Sequence, residues 1–112
     1  MKKENLLPSG ITQEQVTEWK KEFGGVSLLS ITDKEDSSKK YACIVKNPLP
    51  KKAIEMALKW IDKDMYKLCD VLLKNSWLAG DEIIKERAEY VLTAGGKLSE
   101  KLDAAESEII NL

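Results

Sequence analysis

Apolar residues recur at helical spacing in the first part of the chain. Val16, Trp19 and Phe23 share one helical face, and Thr12 with Gln15 has the form of a capping box. Two adjacent glycines follow, and glycine accepts the left-handed conformation that closes the last turn of a helix. The pattern therefore predicts a first helix whose aromatic face packs against the rest of the protein.

Two stretches rich in β-branched and aromatic residues come next, Val26–Thr32 and Lys40–Lys46. A polar and charged connector separates them, so they are predicted to form an antiparallel hairpin. In the second strand Tyr41, Cys43 and Val45 share one face, and the opposite face is apolar as well. Since neither face is polar, we expect one to be covered by helices and the other by a partner or another strand.

The chain returns to helical spacing after the hairpin. One apolar stripe follows Pro50, which fits the first turn of a helix, and a second follows Asp64, a candidate cap. Trp77 lies at the end of the second stripe, Gly80 marks a turn, and Asp81 is predicted to cap the next helix. Because a solvated loop would not favour such large apolar side chains, we interpret this region as a structural corner packed inward.

The last third of the chain has a heptad-like seam. Its apolar positions alternate spacings of four and three from Ile84 to Leu112, with Gly95 at one position. Each of the adjacent glycines Gly95 and Gly96 costs about 1 kcal/mol in a helix, which favours a break or kink there. The alternative is one long helix in which Gly95 allows a close crossing. With a break there, the final segment is an amphipathic helix that packs on the body or on a partner.

These elements predict an α+β fold with an N-terminal helix, one antiparallel β-hairpin and a mostly helical C-terminal half of three to four helices. The chain has 112 residues, about the size of one domain. We assign residues 1–10 to a flexible N-terminal arm and residues 11–112 to a single α+β domain. Within it the hairpin covers about 26–46 and the helical part about 50–112.

Composition argues for a globular protein without a basic surface. Hydrophobic residues make up 43% and charged residues 33%, which is too apolar for a disordered chain. The net charge is −1, from 18 basic and 19 acidic residues, and this balance favours neither nucleic acid nor anionic membrane as a partner. No run has the length of a membrane span or a signal-peptide core. We therefore expect the protein in the cytoplasm of the cell that makes it.

The sequence offers little material for catalysis. It contains no histidine, which removes Ser/His/Asp and Cys/His catalysis and the commonest metal ligand. Cys43 and Cys69 fall within apolar patterns and are predicted to be buried, reduced thiols, although spacing alone leaves a disulfide open. The carboxylates of Asp81 and Glu82 are explained by a helix start. We expect no catalytic residue, metal or cofactor, and no enzymatic activity.

The order of several short motifs resembles a known group of proteins. The segment Trp19–Gly24, Trp-Lys-Lys-Glu-Phe-Gly, leads into a strand, and the second strand carries an aromatic residue and ends at Lys46-Asn47-Pro48. Helices follow, and then Ser76–Ile83, Ser-Trp-Leu-Ala-Gly-Asp-Glu-Ile. Over roughly Thr12 to Leu112, the chain resembles the small tail-assembly-chaperone-like proteins encoded in phage and prophage structural gene clusters.

The resemblance implies a non-enzymatic protein that holds an aggregation-prone tail component, such as the tape-measure protein, during assembly. It implies no cofactor and no catalytic residue. The apolar faces of the hairpin and of the C-terminal segment are the expected contact surfaces, for the partner or for a second copy in a homo-oligomer. The candidate partner-contact residues are Tyr41, Cys43, Val45, Leu98, Leu102 and Ile109. The alternative is a small regulatory or host-interaction module of a mobile element that binds a protein or nucleic-acid target.

Overall fold

The computed structural model describes residues 7, 8, 10–103 and 111, and it has the expected α+β fold. The helices are α1 (Gln13–Phe23), α2 (Lys51–Leu58), α3 (Met65–Ser76), α4 (Ile83–Glu86) and α5 (Ala88–Ser99), and the strands are β1 (Val26–Thr32), β2 (Lys40–Lys46) and β3 (Trp77–Gly80). A short 3-10 helix, Glu100–Asp103, follows α5. The N-terminal helix, the hairpin and the helical C-terminal half are thus confirmed.

Helix α1 begins and ends as its sequence predicts. The backbone N–H of Thr12 donates to Gln15 Oε1 at 2.9 Å, and the N–H of Gln15 donates to Thr12 Oγ1 at 3.2 Å. Gly24 closes the helix in the left-handed region, with φ of 86°, and its N–H donates to Lys20 O at 3.0 Å. Local chemistry therefore sets both ends of this helix.

The hairpin belongs to a three-stranded antiparallel sheet in the order β1-β2-β3. Strands β1 and β2 have the predicted bounds, but the sequence did not predict β3, which pairs Gly80 with Cys43 and Ala79 with Ile44. The register is irregular between Ile44 and Val45. Strand β3 has four residues, too few for a periodic pattern to distinguish it from a turn.

Trp77 and Gly80 of the predicted corner therefore lie in a strand rather than a turn, and Trp77 packs against the core cluster as expected. Gly80 has φ of 147°, and a Cβ there would lie 2.5 Å from the Cα of Cys43, so only glycine fits this pairing. Asp81 caps no helix. Its Oδ2 accepts the N–H of Ala42 at 2.9 Å, while its own N–H donates to Ala42 O at 3.0 Å. The carboxylate extends the β2–β3 pairing by one more residue.

The main core lies between one face of the sheet and the helices that follow it. Helix α3 is its centre, with α2 and α5 packed against it and α4 beside α5. The large side chains at 0% exposure are those of Val45, Leu72, Leu73, Ile84 and Val91. The sheet and helices α2 to α5 each contribute the apolar side chains of one face to a single buried cluster.

Helix α5 runs without a break through Gly95 and Gly96, so the favoured interpretation of a break there is wrong. The chain bends instead at Arg87, which has extended backbone angles of −101° and 127° between α4 and α5. A Cβ at Gly95 would lie 2.5 Å from the Cα of Cys69 in α3. The close crossing of the two helices offsets the cost of glycine in the helix.

The other face of the sheet is covered by α1 rather than by a partner or a further strand. Val16 of α1 and Leu28 and Ile44 of the sheet line a cavity of about 260 Å³, and Ile44 is only 2% exposed. Leu7 lines the same cavity, and Pro8 is buried. These two residues of the predicted N-terminal arm therefore lie against the domain.

Candidate functional site

The predicted contact face of the hairpin belongs to the core. Cys43 and Val45 are 0% exposed, so neither is available to a partner in this structure. Tyr41 is half-buried, and its ring centroid lies 5.4 Å from that of Tyr90 in α5. The chain's own helices thus occupy the face that the sequence analysis offered to a partner.

The predicted C-terminal contact residues divide in a similar way. Leu98 is buried, with 4% of its surface exposed, and Leu102 is half-buried against the core cluster. Ile109 lies outside the described residues. The side chains of Leu98 and Leu102 therefore pack in or against the core.

Exposed apolar side chains are concentrated instead where α2 meets α3. Leu58, Ile61, Met65 and Tyr66 are 52%, 47%, 63% and 40% exposed. All lie within residues 58–66, which we call the α2–α3 corner. Leu58 and Ile61 belong to the apolar stripe that follows Pro50, and Met65 belongs to the stripe that follows Asp64. These stripes extend beyond the part of α2 and α3 that the core covers.

The backbone of the corner is well supported. The N–H groups of Lys63 and Asp64 both donate to Trp60 O at 2.9 Å, and Asp62 adopts a left-handed φ of 61°. Asp64 caps α3 as predicted, because its Oδ1 accepts the N–H of Lys67 at 3.0 Å. The exposed side chains therefore project from a hydrogen-bonded turn.

The charged residues in and next to the apolar corner are three lysines and two aspartates. Lys59 and Lys63 lie within the corner and are exposed, Lys67 follows it in the sequence, and the Nζ of Lys67 lies 4.3 Å from the centroid of the Trp60 ring. The opposing carboxylates are those of Asp62 and Asp64, and Asp64 is engaged as the cap of α3. An apolar centre with charged edges has the chemistry of a protein-binding surface.

A side-chain hydrogen bond joins the connector between β1 and β2 to helix α5. The Oη of Tyr90 donates to Asp33 Oδ2 at 2.6 Å, and the backbone N–H groups of Glu35 and Asp36 donate to Asp33 Oδ1. The bond from Tyr90, with these backbone bonds, lowers the pKa of Asp33, and the same bond raises the pKa of Tyr90 to about 12. Asp33 thus stays ionised and Tyr90 protonated near neutral pH.

This hydrogen bond holds the hairpin connector against α5. Neither group changes its protonation state near neutral pH, so the two do not form a general acid–base pair there. The guanidinium carbon of Arg87 lies 5.3 Å from the centroid of the Tyr90 ring, beside a groove of about 520 Å³. No pattern in the sequence pointed to Asp33 or Tyr90. They are 57 positions apart, and no local motif connects them.

Both thiols are buried and no disulfide joins them, as the sequence predicts. Burial raises the pKa of Cys43 to about 12, with the negative charge of Asp81 adding to it, and burial also raises the pKa of Cys69. Since the thiolate is the reactive form, neither sulfur has the properties of a nucleophile. Within residues 7, 8, 10–103 and 111, no group of three or more His, Cys, Asp or Glu side chains could hold a metal ion.

The comparisons with known proteins add no relative. No protein-family model, curated protein or solved structure matches the chain. Over the part of the chain that the structure describes, no helix is both long enough and apolar enough to cross a membrane.

Proposed function

We propose that this protein is a non-enzymatic interaction protein that assists phage tail assembly in the cytoplasm of a bacterial host. It binds a tail component such as the tape-measure protein. The observation that carries the proposal is the exposed apolar α2–α3 corner, with Leu58, Ile61 and Met65 each close to half exposed or more. The motif order from Trp19–Gly24 to Ser76–Ile83 supports the choice of partner.

The corner suits a helical partner. An amphipathic helix presents apolar side chains one turn apart, and such a stripe would cover Ile61 and Met65 together. Burial of these side chains supplies roughly 25 cal/mol for each Å² removed from water. A tail component with exposed apolar helices would be shielded from aggregation by the same contact.

The lysines of the corner favour a partner with carboxylates beside its apolar stripe. Lys59 and Lys63 are exposed and lie two positions before and two positions after Ile61 in the sequence. Rim charges affect the rate of encounter and its salt dependence more than the final affinity. The complex is therefore expected to form more slowly as salt is raised.

The polar groups of the molecule support the non-enzymatic part of the proposal. The thiol of Cys43 is buried, with a pKa of about 12, and the hydroxyl of Tyr90 donates a hydrogen bond to Asp33. These groups stabilise the fold, and none of them combines exposure with a pKa suited to catalysis near neutral pH.

Co-expression with the tape-measure protein of the same gene cluster tests the proposal. The intact chain should keep that protein soluble and co-purify with it. The double variant Ile61→Ser/Met65→Ser should lose both effects, whereas Leu92→Ser, at an apolar position of α5 that is 42% exposed, should keep them. Equal co-purification of all three chains would refute the role of the corner.

Truncation after Asp103 tests whether the C-terminal segment that contains Ile109 contributes to partner binding in addition to the α2–α3 corner. This site is preferable to truncation at Gly96, which would remove the buried Leu98 and damage the core. Undiminished binding after removal of residues 104–112 would show that the corner acts without this segment.

The lysines beside Trp60 also favour a second candidate, a small module of a mobile element that binds nucleic acid. The Nζ of Lys67 lies 4.3 Å from the centroid of its indole ring, and Lys59 precedes it directly in the sequence. Such binding would shift labelled DNA at low salt and weaken steeply as salt is raised. No shift at low salt would remove this candidate.

A further inference from the structure

Strand β1 lies at an edge of the sheet and, among the described residues, pairs with β2 alone. Its seven residues, Val-Ser-Leu-Leu-Ser-Ile-Thr, include no charge and no proline, and its pairing with β2 has no bulge. Natural proteins usually protect such an edge with a charge, a proline or a bulge. The opposite edge, β3, has only four residues and an irregular register.

The hydrogen bonds at the two ends of the hairpin define which groups of β1 face outward. The N–H of Asn47 donates to Gly25 O at 3.1 Å, and the N–H of Asp33 donates to Lys39 O at 3.0 Å. Because inward and outward bonding alternate along an antiparallel strand, the odd-numbered residues of β1 bond to β2. The outward N–H and C=O groups belong to Val26, Leu28, Ser30 and Thr32.

We propose that β1 pairs antiparallel with β1 of a second copy of this chain, which joins two three-stranded sheets into one of six strands. The two-fold axis passes beside Leu29. Full overlap then places Val26 opposite Thr32 and Leu28 opposite Ser30 of the other copy. In this register every outward backbone group of the strand finds a partner.

Several features of β1 favour its own copy as the occupant. Leu29 of one copy would lie opposite Leu29 of the other, and the pairing brings no two charged residues of the strands together. Leu28 and Leu29 lie on opposite faces and are only partly buried, so both gain cover from the second sheet. Pairing of β1 with β3 would instead give open-ended chains, and β3 is too short and irregular to match seven residues.

The surface is separate from the α2–α3 corner, so it does not rest on the proposed function. Analytical ultracentrifugation of the full chain over a range of concentrations should give twice the monomer mass of 12.6 kDa. Ser30→Pro removes only an outward N–H and should shift the protein to the monomer mass, because edge strands tolerate proline at such positions. Ser30→Ala is the matched control and should remain a dimer. A monomeric intact chain, or a dimeric Ser30→Pro variant, would overturn the proposal.

Residue-resolved amide exchange of the intact chain gives a second test that needs no variant. In the dimer the outward N–H groups of Leu28 and Ser30 should exchange as slowly as the inward N–H groups of Leu29 and Ile31. On dilution to the monomer, protection of Leu28 and Ser30 alone should fall. Rapid exchange of Leu28 and Ser30 at every concentration would show an unpaired edge and refute the pairing.

Discussion

Gly95 of α5 lies directly against Cys69 of α3. A Cβ at position 95 would lie 2.5 Å from the Cα of Cys69 and 2.6 Å from its carbonyl oxygen. These neighbours are backbone atoms within the core and cannot move aside without separating the two helices. The contact explains why a residue of low helix propensity occupies the middle of α5.

The substitution Gly95→Ala should therefore destabilise the protein. Overpacking of a well-packed contact costs about 1–3 kcal/mol, and the free energy of unfolding should fall by that amount. Urea denaturation followed by circular dichroism measures it.

Gly96→Ala provides the matched control, because a Cβ at position 96 has no heavy atom within 4 Å. It should raise the free energy of unfolding by about 0.5–1 kcal/mol, since alanine favours the helix. A stabilising Gly95→Ala would contradict the close crossing.

Removal of the Asp81 carboxylate should weaken the pairing of β2 with β3. Asp81→Ala leaves the N–H of Ala42 without its side-chain acceptor, which is 2.9 Å away, and should cost about 1–2 kcal/mol of unfolding free energy. Glu82→Ala changes an exposed carboxylate one residue later and should cost much less. If the two variants unfold at the same urea concentration, the contact of Asp81 has no stabilising role.

The Tyr90–Asp33 contact predicts a pH-dependent contribution to stability. The pKa of Asp33 is below its usual 3.8 in the folded state, so its contribution is present above that pH and is lost as pH falls through the folded pKa. The pKa of Tyr90 rises from 10.0 to about 12, so its contribution is present below pH 10 and is lost as pH rises to about 12.

Tyr90→Phe keeps the ring but removes the hydroxyl, so it isolates this contribution. The difference in urea midpoint between the intact chain and the variant should be largest from about pH 4 to pH 10. It should shrink at both acidic and alkaline extremes. A difference that stays constant from pH 2 to pH 12 would show that the hydrogen bond does not couple the two groups.

The two thiols should be unreactive in the folded protein. A pKa of about 12 in place of 9.0 reduces the thiolate fraction of Cys43 roughly a thousandfold at neutral pH, and its burial excludes the reagent as well. A chromogenic disulfide reagent at pH 8 should release two equivalents in urea and almost none from the native chain. Rapid modification of either thiol in the native chain would contradict the packing of Cys43 or Cys69.

Sequence patterns predicted the elements whose signals are local. The capping box at Thr12, the cap at Asp64 and the bounds of β1 and β2 all depend on neighbouring residues, and the structure confirms each of them. Strand β3 was not predicted because its partner β2 lies more than thirty residues earlier in the chain. Pairing over that distance leaves no periodic signal in four residues.

Tertiary contacts also overrode two local signals. Asp81 has the position of a helix cap, but the backbone of Ala42 bonds to its carboxylate. Gly95 has the propensity of a helix breaker, but its contact with Cys69 compensates for that cost. The exposed α2–α3 corner was not predicted because a stripe indicates which residues could be buried, whereas the length of the neighbouring elements decides which are covered.

Affinity for an isolated helical segment of the tape-measure protein, measured by calorimetry, tests the central claim most directly. The double variant Ile61→Gln/Met65→Gln should bind at least about tenfold more weakly, because it removes roughly 1.4 kcal/mol or more of apolar contact. Its thermal midpoint should stay close to that of the intact chain, since both side chains are largely exposed. Leu92→Gln should bind as the intact chain does. Equal affinity of the corner variant and the intact chain would contradict the account.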